Sequence, residues 1–437
     1  MTQNHSPAST LRLVTLGCAK NLVDSERLAR QLEKNGWHIV FDDDKREASV
    51  VIINTCGFIN DAKQESIDTI LRYVELRQKG KISMLLVMGC LTERYHEELK
   101  KGIPEADAFF GVNDFRAIIK TLGGIYKKEN PGDRLLATPS HYAYLKIAEG
   151  CNRHCSFCAI PSIRGKYQSL PLSFLVKEAQ HLVSKGVKEL ILVAQDLSYY
   201  GYDIERSRLL PQLVRQLSSI KGIQWLRLHY AYPTGFPEEI LDLMAGKSNV
   251  CHYLDIPFQH ISTPVLQRMR RGYDETKVKK LIELFRTRVP DIALRTSLIV
   301  GFPGETEKDF RKLYDFVRNT RFERLGIFMY SHEEGTWAFH HFNDSIPEKV
   351  KQQRYHELMK LQQAISLQMN KEKIGTSAPV LIDRIEKNTA WGRTQYDSPE
   401  IDNQVIISPV KGKEIKAGNF YPVTFSGASA YDLYGSL

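Results

Sequence analysis

The chain has 437 residues and carries 60 Lys and Arg against 51 Asp and Glu, a formal net charge of +9. Hydrophobic content of 42% and charged content of 25% exclude global disorder, and the length leaves room for two to four domains. Apolar runs such as Met84–Met88 fall far short of the roughly 18 residues of a membrane helix, and the polar start MTQNHSPAST lacks a signal core. A cytoplasmic protein with no membrane attachment and a disordered tail over residues 1–10 is therefore expected.

From residue 11 to about 125, strands alternate with helices. Leu11–Leu16 is a short β-rich run, and Asp24 and Ser25 are offered as N-caps for the amphipathic stretch SERLARQLEKNG, which stops at Gly36. SVVIIN and ISMLLVM read as buried strands, each followed by a polar-faced helix. That alternation predicts an N-terminal α/β domain with a parallel sheet. Cys18, Cys56 and Cys90 each fall one to three residues past the carboxyl end of a predicted strand. Ligands bind at that edge of open parallel sheets, so the three are expected to converge.

Residues 126–140 (YKKENPGDRLLATPS) are polar and turn-rich and read as a linker. Over 141–370 a second series follows, with strands in YLKIAEG, ELILVAQD, WLRLHYAYP, YLDIPFQH, LRTSLIVGFPGE and RLGIFMYSHEEG. Six strands with helices between them predict a partial or full βα (TIM-type) barrel, whose chemistry belongs at the C-terminal strand ends. A long helix beginning at IPEKV closes it. Residues 371–437 change to short β runs and predict a small OB-like β-barrel.

Seven cysteines, an odd number, argue against a disulfide framework and for metal binding or catalysis. Cys151, Cys155 and Cys158 form CxxxCxxC directly after the first barrel strand. Three thiolates suit a 4Fe-4S cluster with one iron left open, whereas a closed zinc site lacks a well-placed fourth ligand. Phe157, just before the last cysteine, is placed to pack against a ligand of that iron. His229, His260 and His332 read as satisfied structural histidines, and Cys251 as a buried thiol.

The loop EGCNRHCSFCAIPSIRGKY resembles the signature of the radical S-adenosylmethionine enzymes. LGCAKNLVDSE, INTCGFI, MGCLTERY, ILVAQD, PFQHIS and IVGFPGET extend the resemblance to the methylthiotransferases, over nearly the whole chain. It implies an N-terminal domain whose Cys18, Cys56 and Cys90 hold a second 4Fe-4S cluster, a radical-SAM barrel holding the first through Cys151, Cys155 and Cys158, and a C-terminal TRAM barrel. S-adenosylmethionine would serve as radical source and methyl donor, with contacts from Gln195, Asp196, Gly301, Gly304 and Glu305. It implies further a reducing electron donor such as flavodoxin or ferredoxin, and nothing demands more than a monomer.

Two branches of that family differ in substrate: an isopentenylated adenosine of tRNA, or the β-carbon of an aspartate in small-subunit ribosomal protein twelve. NLVDSE, AIPSIRGKY and GRTQYDSPEID resemble the second branch; Ala19, Leu170 and Thr263 depart from its pattern. A third reading, a non-catalytic iron–sulfur factor, has no use for two cysteine triads. Charge points the same way as the motifs: residues 371–437 hold 8 basic and 8 acidic side chains. A neutral last domain is unlike a tRNA clamp, and DSPEID is expected to face a basic protein.

Overall fold

The computed structural model describes residues 10–43, 46–246, 249–408 and 415–437. The tail expected over 1–10 lies outside the described residues except for Thr10, which opens the first strand.

Strands β1 (Thr10–Thr15), β2 (His38–Phe41), β3 (Val50–Thr55), β4 (Met84–Gly89) and β5 (Ala108–Phe110) form one parallel sheet in the order β2-β1-β3-β4-β5. β3 is central and buried at every position, as its unbroken apolar run requires. Helix α1 (Ala19–Lys34) starts earlier than the sequence suggests, with Cys18 at its N-cap and Asp24 and Ser25 inside it. These two polar residues are drawn to tertiary partners instead: Ser25 Oγ meets Thr15 and Asn54 at 2.7 and 2.9 Å, and Asp24 enters the ion cluster described below. Helix α2 (Asn60–Gln78) follows β3, and α3 (Cys90–Arg94) follows β4. A short helix over Phe115–Thr121 follows β5, and residues 122–140 after it are coil, but not loose. Arg134 is fully buried there between Glu26 of α1 (3.0 Å) and Glu178 (3.3 Å).

The second sheet holds β6 (Tyr142–Lys146), β7 (Glu189–Val193), β8 (Trp225–Leu228), β9 (Val250–Asp255), β10 (Ala293–Val300) and β11 (Arg324–Met329). They pair in parallel in chain order, with β6 and β11 at the two edges. The helices outside them bury one continuous apolar core. This is a partial barrel, open between β6 and β11, and α1 packs on the β6 edge. Helix α4 (Ile160–Arg164) lies in the loop after β6, α5 (Trp337–His341) follows β11, and the long α6 (Glu348–Lys371) leads to the last domain.

That domain is a closed barrel of β12 (Ser377–Glu386), β13 (Thr389–Arg393), β14 (Gln404–Ile407), β15 (Phe420–Ala428) and β16 (Asp432–Ser436). It sits against the N-terminal ends of the partial barrel's strands. The loop between β13 and β14 enters the lumen there. Ser398 Oγ is 2.8 Å from His229 Nε2, Tyr253 donates to Asp402 at 2.8 Å, Tyr142 to Glu400 at 2.9 Å, and Arg324 pairs with Asp397. The expectation that DSPEID faces a basic protein is thereby corrected: Asp397 and Ser398 are buried, and the loop's carboxylates answer barrel groups. Beneath it, Glu189 binds Arg227 at 2.7 Å and Arg393 at 2.8 Å, all three buried. No helix among the described residues is long and apolar enough to cross a membrane.

Candidate functional site

The C-terminal strand ends of the partial barrel gather the chemistry. The loop Cys151–Cys158 is fixed by its own backbone and by neighbours. Cys151 N–H donates to Gly165 O (3.1 Å), Cys158 N–H to Cys155 O (3.1 Å), and Tyr167 N–H to Asn152 Oδ1 (3.0 Å). Gly150 turns into it with φ +74°, and a Cβ there would stand 2.2 Å from Lys166 O, so only glycine fits. Ser156, between the cysteines, is stitched on both sides: its N–H to Met269 O, its hydroxyl to Arg268 O, its carbonyl to Ala338 N–H. Arg271 Nη1 lies 3.1 Å from Cys155 Sγ.

The N-terminal triad comes from three strand ends. Cys18 follows β1, Cys56 follows β3 directly, and Cys90 opens α3. Gly17, at φ +93°, lies so close to Cys56 that a Cβ would come within 2.9 Å of its sulfur. Asn21 Oδ1 is 3.7 Å from Cys90 Sγ, and its amide donates to Leu16 O and Thr55 O, tying the three loops together.

Between the triads lies a buried ion cluster. Lys146, at the end of β6, binds Asp24 and Glu149 (2.7 Å); Arg164 of α4 binds Asp24 (3.1 Å), Glu149 (2.9 Å) and Asn21. Gln195 Nε2 joins at Glu149, 3.2 Å away. One network thus spans the N-terminal domain, the cysteine loop and the rim of the barrel. Burial opposes ionisation of Cys18, but the charges of Lys20 and Arg164 outweigh it and pull the thiol below its ordinary range. Burial pushes Cys90 up to about 12, Cys151 up to about 11, and Cys56 and Cys158 upward as well. Five sulfurs, Cys90 buried and the others half-buried, that resist ionising unless a cation accepts them, or a cation already helps them, make a donor set suited to metal.

No three of these donors stand in the geometry of a single-ion site among the described residues. Three cysteine sulfurs per triad suit a cuboidal iron–sulfur cluster, whose irons take thiolate ligands. The rim also presents buried polar atoms without partners: Gln195 Oε1, Asp196 Oδ1 and Asp255 Oδ2, with Thr92 Oγ1 beside Cys90. Leaving such atoms unpaired is costly, and a bound ligand removes the cost.

The other sequence candidates fall out differently. Asp196 shares its second oxygen with Arg153 at 2.7 Å. Phe157 turns inward, edge-on to Phe302 with ring centroids 6.4 Å apart. Gly301 and Gly304 have φ of +76° and +81°, but Glu305 spends its carboxylate inside that turn, accepting Gly301 N–H at 2.8 Å and pairing with Arg354 at 2.8 Å. His229 bonds Ser398, His260 accepts from Ser262 N–H, and His332 meets Tyr330. Cys251 lies within β9, buried.

Three family models match the chain: Uncharacterized protein family UPF0004 over residues 10–111, the Radical SAM superfamily over 145–317, and a TRAM domain over 374–437. A protein of Cytophaga hutchinsonii called ribosomal protein uS12 methylthiotransferase RimO is 51% identical over 427 residues, 98% of this chain and 97% of its own. One of the same name from Parabacteroides distasonis is 50% identical over 97% of this chain and 98% of its own. The chain belongs to the RimO methylthiotransferase family. A radical S-adenosylmethionine methyltransferase, TsrM, from Kitasatospora setae shares the fold at a TM-score of 0.54 and 16% identity, over 73% of each chain. The RimO family fixes the chemistry as enzymatic, with 4Fe-4S clusters and S-adenosylmethionine, and sets aside the tRNA-modifying and non-catalytic readings.

Reading the sequence alone misses Arg164, Lys146, Asp24, Glu149 and Arg271. A signal exists only for some: Asp24 lies in NLVDSE and Arg164 in AIPSIRGKY, next to cysteine motifs. Arg271 sits in an ordinary-looking basic run 116 residues from the cysteine it touches.

Proposed function

We propose that this chain replaces a hydrogen on the β-carbon of an aspartate of ribosomal protein uS12 with a methylthio group. Cys151, Cys155 and Cys158 hold one 4Fe-4S cluster, and Cys18, Cys56 and Cys90 hold the other. The observation that carries the reading is the pairing of two cysteine triads at facing strand ends across one buried ion cluster, in a chain half identical to uS12 methylthiotransferases. When bound, the clusters supply the electron and the sulfur that general acid–base chemistry cannot bring to an unactivated C–H bond.

The chain's own residues orient and exclude. Gln195 Oε1 and Asp196 Oδ1 are buried acceptors facing the rim, suited to the donors of S-adenosylmethionine. Arg164 and Lys146 fix the spacing of the triads, because each bridges α1 to the first barrel loop through buried carboxylates. The loop between β13 and β14 closes the opposite end against water. The protein acts as a cytoplasmic monomer and takes its electrons from a reducing protein such as a flavodoxin or ferredoxin.

The test is anaerobic reconstitution with iron and sulfide, then incubation with reductant, S-adenosylmethionine and a peptide carrying the uS12 aspartate. The expected product has gained one methylthio group at that residue by mass spectrometry. Modification of tRNA with none of the peptide would overturn the substrate assignment.

A further inference from the structure

Six buried arginines come with carboxylates. Arg134, Arg164, Arg227, Arg324, Arg354 and Arg393 each have one within ion-pair distance. Arg271 is not matched in this way. It is 4% exposed, and no carboxylate lies within 4.0 Å of it among the described residues. Its three polar contacts are Nε to the Tyr273 hydroxyl (2.8 Å), Nη2 to Pro257 O (2.6 Å) and Nη1 to Cys155 Sγ (3.1 Å). The faces of the ring systems of Tyr232 and Tyr273 lie 4.4 and 5.4 Å from its guanidinium carbon.

An arginine cannot shed its proton, so a buried one needs a compensating negative charge. Two neutral oxygens and two aromatic faces soften that requirement without meeting it. The remaining neighbour is a thiol sulfur. We infer that Arg271 is the built-in counter-charge of the barrel's iron–sulfur cluster, set against its Cys155 ligand to make that cluster easier to reduce. The inference rests on the proposed ligation by Cys151, Cys155 and Cys158.

The physical reason is direct. Adding an electron makes a thiolate-ligated cluster more negative, and a fixed cation nearby favours the more negative state. A donor aimed at a ligand sulfur acts in the same direction, and hydrogen bonds to sulfur are among the levers that set cluster potentials. The surroundings hold the guanidinium in place. Arg271 N–H bonds Leu266 O, Tyr232 donates to Arg271 O at 2.6 Å, and the preceding Met269 and Arg268 carbonyls are bonded to Ser156 of the cysteine loop. The cation and the sulfur therefore belong to one rigid unit. Arg271 is a positioning and tuning residue, since it reaches the reaction only through Cys155.

The experiment is a spectroscopic redox titration of the barrel cluster in the full chain, with Cys18, Cys56 and Cys90 changed to Ala so that a single cluster reports. In Arg271→Gln the reduction equilibrium constant should fall at least about tenfold, equivalent to about 59 mV for a one-electron couple. Arg271→Lys should restore part of the difference. Tyr273→Phe, which keeps the charge but frees Nε, should give a smaller fall in the same direction, and it serves if Arg271→Gln does not load iron. A loaded Arg271→Gln, or failing that a loaded Tyr273→Phe, with the parental potential would overturn the inference. Loss of iron on changing Cys155 to Ala, alongside an unmoved potential in Arg271→Gln, would leave the ligand assignment standing and remove the tuning role alone. Retention of full iron after Cys155→Ala would remove both.

Discussion

The two ends of the partial barrel are built on opposite plans. At the N-terminal strand ends, every strong charge has its partner: Glu189 lies between Arg227 and Arg393, Arg393 also holds Asp383, and Arg324 holds Asp397. At the C-terminal rim, Gln195, Asp196 and Asp255 each keep a buried oxygen without a partner, and Arg271 is a cation without a carboxylate. The first end pairs its charges within the protein, though Glu189 Oε2 and Arg227 Nη2 also lack a hydrogen bond there. The second adds to such atoms a buried cation, Arg271, with no carboxylate within 4.0 Å among the described residues. Satisfied networks rigidify a fold, while unsatisfied ones mark where it gives up stability for function.

That contrast breaks most sharply at the cysteines. Changing Cys155 to Ala should abolish methylthiolation of the uS12 peptide while moving the cluster-free chain's melting temperature by only a few degrees, since a half-buried thiol is a small part of the core it touches. A large loss of apo stability would mean the rim is structural after all. The base should behave in reverse. Arg324→Met leaves Asp397 buried with its main cation gone, and breaking such a pair costs about 3–5 kcal/mol. Denaturant unfolding of the apo chain should show that loss, with activity per folded molecule kept.

These two ends were unequally legible in the sequence. CxxxCxxC is local, so spacing alone exposes it, and Cys18, Cys56 and Cys90 are visible because each follows a strand whose apolar run is plain. The barrel's strands could be found for the same reason. Short edge strands could not: β2 and β5 have only four and three residues, too few for an apolar run to stand out. Partnerships across the chain were also hidden. Arg164 reaches Asn21 over 143 positions, and no sequence window holds both. Charge misled for a related reason. Counting residues treats Arg227, Arg271, Arg324 and Asp397 as surface, whereas all are buried, so a sum over DSPEID or over the barrel is no map of what a partner meets.

A smaller effect sharpens the rim. Asp196→Asn keeps the size of the side chain but changes what its free oxygen and its partner Arg153 can do. Losing one charge-assisted contact to S-adenosylmethionine is worth about 1.5–3 kcal/mol. Steady-state kinetics should therefore show KM for that cosubstrate raised at least about tenfold, at the low end of that range. An unchanged KM would move Asp196 from the rim's binding set to its scaffold.

The smallest expected effect lies where the N-terminal domain meets the far edge of the barrel. Glu333, just past β11, accepts from Lys63 of α2 at 2.9 Å and from Arg94 of α3 at 3.0 Å, while Arg94 also donates to Gly57 O beside Cys56. This latch spans the open side of the barrel, so it holds the second triad in register with the first. Burial raises the Glu333 carboxyl, but the Ser331 hydroxyl, Lys63 and Arg94 outweigh it and hold it below the ordinary range. A depressed carboxyl stabilises the docked domain at pH above its unfolded value of about 4.3 and loses that contribution as pH falls through the folded one. Glu333→Gln should cost about 1 kcal/mol at neutral pH, because the amide oxygen can still accept from Lys63 and Arg94, and nothing further in acid. Hydrogen exchange across α2 and α3 at pH 7 and below pH 4 measures both. If the variant's exchange still accelerates on acidification as much as the parent's, Glu333 is not the group that titrates, and the latch must be sought at Glu149, whose carboxyl burial raises but Lys146 and Arg164 hold below the ordinary range.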